Sequence, residues 1–440
     1  MCLEENSKLK KALTPLMLWG LGVGYVISGM YFGWNLGLEK GGTLGLAIAT
    51  FFIIVLYVTF TFSYSELACA IPKAGGVFDY ADRALGKDAG FVAGMAQNIE
   101  FIFAPPAIAF AIGAYFNLIF PQLDILWIAI AVYILFTLLN MYGVKAAATF
   151  ELIITFLAVV ELLVFAVVTL PHFQIENLKS NAFPNGCAGI FAALPFAIWF
   201  FLGIEGVANV AEETVNPQKD ILKGFGTAIL TLVVLCVLTF VAAIGVGGWQ
   251  AIVFDPAGAM SDSPLPMAMA QVVGGNSILF HMLLTVGLFG LVASFHGLML
   301  AGGRSTLEFG KAGYAPQITR KVHSKFQTPA NALLINTLIG ILILLTGKTT
   351  EIITIAVFGA LTLYIIAMVS LIVLRKKEPQ LHRPFKVPFY PLSPLLALVI
   401  AVISIFAMAY YNLMLAFIFF AIHSISFAGY KLFYKKSSAS

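Results

Sequence analysis

The chain has 440 residues, 60% of them apolar and only 10% charged, with a mean hydropathy of +0.95. A soluble domain carries about a quarter charged residues, so a soluble globular fold is excluded. The net charge of +4 says little until its distribution along the chain is seen.

Windows of about 20 apolar residues, enough to cross ~30 Å of hydrocarbon, recur along the whole length. They lie near 14–38, 43–70, 89–120, 125–142, 146–170, 187–212, 222–247, 277–303, 329–346, 350–374, 392–411 and 413–433. No long polar stretch divides them, so the reading is one transmembrane domain of twelve helices. The first window follows Lys8, Lys10 and Lys11 as a signal peptide would, but it is too long and lacks a small-residue cleavage site. It reads as the first span. It is interrupted at Ile27-Ser28-Gly29-Met30-Tyr31-Phe32-Gly33. The sixth window is interrupted at Trp199-Phe200-Phe201-Leu202-Gly203-Ile204-Glu205-Gly206. Each interrupted span opens one half of the chain. Unwound backbone is tolerated in a membrane only where it lines a cavity or is buried in protein. Two such breaks in matching places point to a mid-membrane substrate site. There a half-helix N-terminus presents N–H groups and a C-terminal end presents carbonyls.

The basic residues orient the spans. Of the 25 lysines and arginines, all but Lys40, Lys179 and Lys348 fall on the side that holds both termini. Such a split places both termini in the cytoplasm and supports an even number of spans. The cysteines Cys2, Cys69, Cys187 and Cys236 are spread over both sides and the spans, so no disulfide framework is expected. The six histidines have no metal-ligand spacing. No catalytic constellation appears, so neither an enzyme nor a cofactor or metal is called for.

Several segments, in order along the chain, resemble the amino acid–polyamine–organocation (APC) permeases. They are Ser65-Glu66-Leu67 with Ile71-Pro72-Lys73-Ala74-Gly75-Gly76 and Arg83-Ala84-Leu85-Gly86; Asn140-Met141-Tyr142-Gly143-Val144-Lys145; Glu212-Glu213-Thr214-Val215-Asn216-Pro217; and Arg383-Pro384-Phe385-Lys386-Val387-Pro388. Gly24-Tyr25-Val26-Ile27-Ser28-Gly29-Met30-Tyr31-Phe32-Gly33-Trp34-Asn35 and Gln97-Asn98-Ile99-Glu100-Phe101 resemble the ethanolamine permeases within that superfamily. Ile27 stands where most amino acid permeases have glycine.

The resemblance implies an all-α LeuT-type fold in a bacterial cytoplasmic membrane. Spans 1–5 (about 14–170) and 6–10 (about 187–374) would form inverted repeats, with spans 11–12 (about 392–433) outside. It implies a small-molecule amine as partner, with the bilayer and a coupling proton or ion, and no nucleic acid.

Buried acids are costly in a membrane and are functional by default. Glu100, Glu205, Glu151 and Glu161 all lie within spans. The bland alternative for each is a carboxyl satisfied by backbone or simply protonated. Glu205 matches the helix 6 glutamate of APC permeases, implicated there in gating or coupling. Glu100 falls on the face that contacts substrate in APC antiporters, where a fixed carboxylate would neutralise a bare cation. The expected substrate residues are Ser28, Gly29, Met30, Tyr31, Glu100, Phe101, Trp199, Leu202, Gly203, Glu205 and His296. His296 faces either the site or a packing seam. Glu205 and Glu161 are the coupling candidates. Ala158 stands where some APC members carry a lysine in place of sodium. An ethanolamine transporter, an amino acid or polyamine carrier, and a membrane enzyme or channel are the competing classes.

Overall fold

The computed structural model describes residues 11–141, 144–255, 257–323 and 325–434, with backbone alone at 144–147 and 433–434. Cys2, Lys8, Lys10, Tyr142, Gly143, the Lys145 side chain, Lys435 and Lys436 lie outside the described residues. Among the described residues every element is helical, with two isolated bridges and no strand.

The helices are α1 Pro15–Val26, α2 Ser28–Tyr31, α3 Leu36–Ala70, α4 Val77–Leu85, α5 Lys87–Ile119, α6 Ile125–Met141, α7 Val144–Thr169, α8 Ile175–Lys179, α9 Gly186–Ala192 and α10 Leu194–Trp199. A 3-10 helix, Ile204–Glu213, follows. Then come α11 Pro217–Gly247, α12 Gln250–Val253, α13 Pro264–Val273, α14 Ile278–Lys311, α15 Ala330–Leu344, α16 Thr349–Lys377, α17 Leu392–Tyr411 and α18 Leu413–Gly429. Among the described residues, nine helical stretches are long and apolar enough to cross a membrane. Shorter apolar helices at Pro15–Tyr31, Ile125–Met141 and Ala330–Leu344 fall at expected spans. A further one, Pro264–Val273, lies in an expected connection.

The first span starts where its sequence says it should. Thr14 accepts from the Met17 N–H at 3.4 Å, and Pro15 takes the first helical position, where no N–H is needed. α3 contains a kink at Gly42 (φ 64°), at the boundary between the first two apolar windows. α5 is central, packing against α16 and α14, while α1 packs against α11 and α7.

The two interrupted spans meet at the basic end of the molecule. The Ala12 and Leu13 N–H groups donate to the Glu213 carbonyl at 2.8 and 3.0 Å, and Val215 N–H donates to Leu13 O at 3.1 Å. Arg304 of α14 pairs with Glu213 at 2.6 Å, both nearly buried. Glu66, from the Ser-Glu-Leu motif, accepts from Arg375 (2.8 and 2.5 Å) and from the Val387 N–H (2.7 Å), with Arg383 at 3.3 Å. Two motifs more than 300 residues apart thus close on each other. At the opposite end, Asn35 Nδ2 donates to Ser261 O (2.8 Å) and Ile252 O (3.3 Å), and Thr349 Oγ1 donates to Asp262 (3.1 Å). The connection between α12 and α13 is thereby fastened over the first break.

Candidate functional site

The first break is milder than its sequence suggests at one end and sharper at the other. Ile27 keeps right-handed helical angles, and Ser28–Tyr31 forms another helical turn. The chain then leaves the helix at Phe32, which is extended, and Gly33 (φ 86°). Side chains take up the freed polar groups. Ser28 N–H donates to Ser294 Oγ at 2.8 Å, and Ser294 donates to Gly24 O at 2.6 Å. Trp199 Nε1 donates to Phe32 O at 3.1 Å, and Gly33 N–H donates to Asn35 Oδ1 at 3.0 Å.

The second break opens after α10 ends at Trp199, and Gly203 adopts the left-handed conformation (φ 95°) that glycine reaches without strain. Gly29 sits where the breaks touch. Its backbone is helical, so it needs no special angle. A β-carbon there would lie 2.5 Å from the Trp199 carbonyl oxygen and 3.0 Å from Phe200 Cα. Glycine is required by close approach of two backbones, rather than by the unusual angles or the pocket expected of an unwound residue.

Glu205 follows Gly203 in the first turn of the 3-10 helix. Glu100 of α5 faces it. Both are fully buried; their carboxyls interact with each other, that of Glu100 also with the Gly203 backbone and that of Glu205 with its own. Glu205 Oε2 accepts from Tyr364 Oη at 2.9 Å, and Tyr364 Oη lies 2.9 Å from Tyr57 Oη. Neither oxygen of Glu100 meets a donor at full hydrogen-bonding geometry, and Glu205 Oε1 is likewise unpartnered. Among the described residues, neither acid forms an ion pair with a lysine or arginine. Two adjacent carboxyls inside a dry bundle repel unless a cation or a proton lies between them. α16 holds Glu100 in place. A β-carbon at Gly359 would lie 2.7 Å from Ala96 O and 3.0 Å from Glu100 N, so the helices touch at backbone distance. Aromatic rings complete the wall: Tyr57 with Phe201 (5.2 Å between centroids), and Phe60 with Tyr364 (4.3 Å) and Tyr64 (5.0 Å). Faces of this kind attract ammonium groups.

The remaining expected residues are buried but scattered. Tyr31 is engaged elsewhere; its hydroxyl lies 2.5 Å from Glu161 Oε2 and 3.0 Å from Ala158 O, with one hydrogen to share between them. Tyr115 Oη donates to Tyr31 O at 3.3 Å. Phe101 packs toward α14 and α15, beside Met299 and Leu333. His296 lies in a packing seam, its Nδ1 2.8 Å from Glu151 Oε2. Met30 and Leu202 are buried at the two breaks, and the Met30 carbonyl accepts from Trp34 Nε1 at 3.1 Å.

The sequence reading missed Tyr57, Tyr364 and Gly359. Fifteen tyrosines and 39 glycines occur in the chain, and no spacing separates these few from those that only pack.

A family model described as amino acid permease matches residues 13–434. An uncharacterized transporter of Rhizobium meliloti is 27% identical over 424 residues, covering 92% of this chain and 88% of the relative. A branched-chain amino acid permease of Bacillus subtilis is 27% identical over 419 residues, covering 89% and 87%. A methylthioribose transporter of Bacillus subtilis is 23% identical over 415 residues, covering 90% and 87%. With the match running nearly end to end, the protein belongs to the amino acid permease family, a membrane transporter family of the APC superfamily.

Proposed function

We propose that the protein is a secondary active transporter that imports ethanolamine or a closely related small amine by alternating access. In this reading the fold is of LeuT type, with twelve spans and inverted repeats over about 14–170 and 187–374. The basic end faces the cytoplasm of a bacterium, and both termini lie there. The observation that carries the reading is the Glu100–Glu205 pair, walled by Tyr57 and Tyr364, with no basic side chain among the described residues paired to it. A bare ammonium placed between the acids neutralises them and lies against aromatic faces. A second feature argues the same way. A substrate carboxylate would seek free N–H groups at the first break, and the Ser28 N–H is already held by Ser294.

Glu205 also accepts from the Tyr364 hydroxyl, which in turn lies 2.9 Å from that of Tyr57, and this chain suits a gate that closes around substrate. Glu161, held by Tyr31, is the other coupling candidate carried from the sequence.

A second reading is an amino acid or polyamine permease or exchanger on the same site. The branched-chain amino acid permease among the relatives favours it. Uptake of radiolabelled ethanolamine into liposomes, competed by amines and by amino acids, separates the two. Competition by small amines without a carboxylate supports the first reading. Labelled uptake that amino acids block, and that small amines lacking a carboxylate do not, replaces it with the second.

A further inference from the structure

Glu100, Glu151, Glu161 and Glu205 are buried within the spans. Among the described residues, Glu151 alone of the four meets a titratable base. Its Oε2 lies 2.8 Å from His296 Nδ1, and both side chains are wholly buried. The far ends of both groups, Glu151 Oε1 and His296 Nε2, have no hydrogen-bond partner.

The third wall around the pair is α1. A β-carbon at Gly24 would lie 2.3 Å from Glu151 Oε1 and 2.6 Å from Thr155 Oγ1, so the helix rests directly on the carboxyl. Thr155 Oγ1 donates to Gly20 O at 3.2 Å, and Ser294 ties Gly24 O to the Ser28 N–H. Gly297 leaves room for the Tyr25 ring, whose hydroxyl is unpartnered. α6 contributes the Phe136 ring, and Phe150 flanks the imidazole from α7. The ionisable groups facing this seam are Tyr25 from α1, with Arg304 from α14 and Glu213 beyond it, the last two paired with each other at 2.6 Å.

Such a seam accepts one proton on the pair and no other number. With none, a carboxylate faces a neutral imidazole. With two, an imidazolium faces a neutral acid. Either state leaves one uncompensated charge under a dry helix, whereas one proton makes the pair neutral overall. Resting on the alternating-access reading above, we propose that Glu151–His296 is the proton-binding site of the transport cycle, over which α1 closes only when one proton is bound. The proton enters from the outer solution and leaves to the inner one when α1 swings off and the pair is hydrated. Only N–H and O–H bonds form and break.

The test uses the full chain in liposomes with radiolabelled ethanolamine. Glu151→Gln and His296→Gln keep ethanolamine-for-ethanolamine counterflow within about threefold, but lose at least about tenfold of the accumulation driven by an acid-outside pH gradient. Undiminished gradient-driven accumulation in both variants overturns the proposal. A second arm needs no substrate: deuterium exchange of residues 15–26 in the purified chain between about pH 6 and pH 8, corrected for the intrinsic rate. Protection of the wild-type segment falls as pH rises, and both variants lose that dependence. A wild-type segment indifferent to pH overturns the proposal. A wild type that moves no ethanolamine but opens with pH sinks the substrate reading and leaves the proton site standing.

Discussion

The two broken spans look alike in sequence and differ in what the break exposes. The first is sealed by neighbours: Ser294 takes the Ser28 N–H, Trp199 takes the Phe32 carbonyl, and Asn35 takes the Gly33 N–H and holds the connection above it. The second carries charge. Gly203 turns the backbone, and Glu205 then meets Glu100, with three of their four carboxyl oxygens lacking a donor at full hydrogen-bonding geometry. A glycine-marked break is therefore not by itself a ligand site. At the first break several backbone polar groups are held by neighbouring side chains, whereas the second carries an acid pair with no lysine or arginine paired to it among the described residues.

The sharpest way to break this comparison is to remove the charge. Glu100→Gln keeps the shape and deletes the neutralising carboxylate. Loss of a buried charge partner is worth about 3 kcal/mol or more, so ethanolamine affinity should fall about 100-fold or more. Binding of the labelled amine to purified protein reads this directly, and a change under about threefold would reduce Glu100 to a protonated packing acid.

The joint is tested at Gly29. Its β-carbon would strike the Trp199 carbonyl, so Gly29→Ala, the smallest possible addition, should cost about 1–3 kcal/mol of the closed state. Transport should drop about tenfold while the protein still reaches the membrane. Wild-type rates in this variant would show that the spans part easily here.

The cover over the first break has a pH signature. Asp262 lies in the connection outside the spans, and burial pushes its carboxyl from 3.8 up to about 6, against a smaller opposing effect of its bond to Thr349. The bound conformation therefore favours the protonated acid. Closure of the cover is fully supported below pH 3.8 and weakens as pH rises through about 6. Asp262→Asn should flatten that dependence, read by thiol labelling of a cysteine introduced at Ser263.

Met30 gives the smallest effect. Its carbonyl is used, but its side chain is apolar and buried. Met30→Leu should change ethanolamine affinity by less than about tenfold, since the swap nearly conserves volume.

The breaks were legible in sequence because glycine and aromatic residues interrupt otherwise uniform apolar runs, and Gly33 and Gly203 do adopt positive φ. Glu100 and Glu205 stood out in sequence because acids are rare in spans. Their mutual approach was not, since 105 positions separate them and only the packing of α5 on the 3-10 helix joins them. The partners Tyr57 and Tyr364 belong to a residue type that fills cores everywhere. His296 could be read toward the site or toward a seam, and only its contact with Glu151, 145 residues away, decides between them. The reason for Gly29 also lay in another span's backbone, beyond the reach of local pattern.

The central claim is that the acid pair at the second break receives an ammonium group. Equilibrium binding of radiolabelled ethanolamine to the purified wild-type chain, with Glu100→Gln and Glu205→Gln alongside and leucine and putrescine as competitors, tests it most directly. The account predicts saturable binding to the wild type, strong loss in Glu100→Gln, weaker loss in Glu205→Gln because Tyr364 and Tyr57 stay in place, and little competition by leucine. Binding that survives both substitutions unchanged, or that leucine displaces completely, would contradict it.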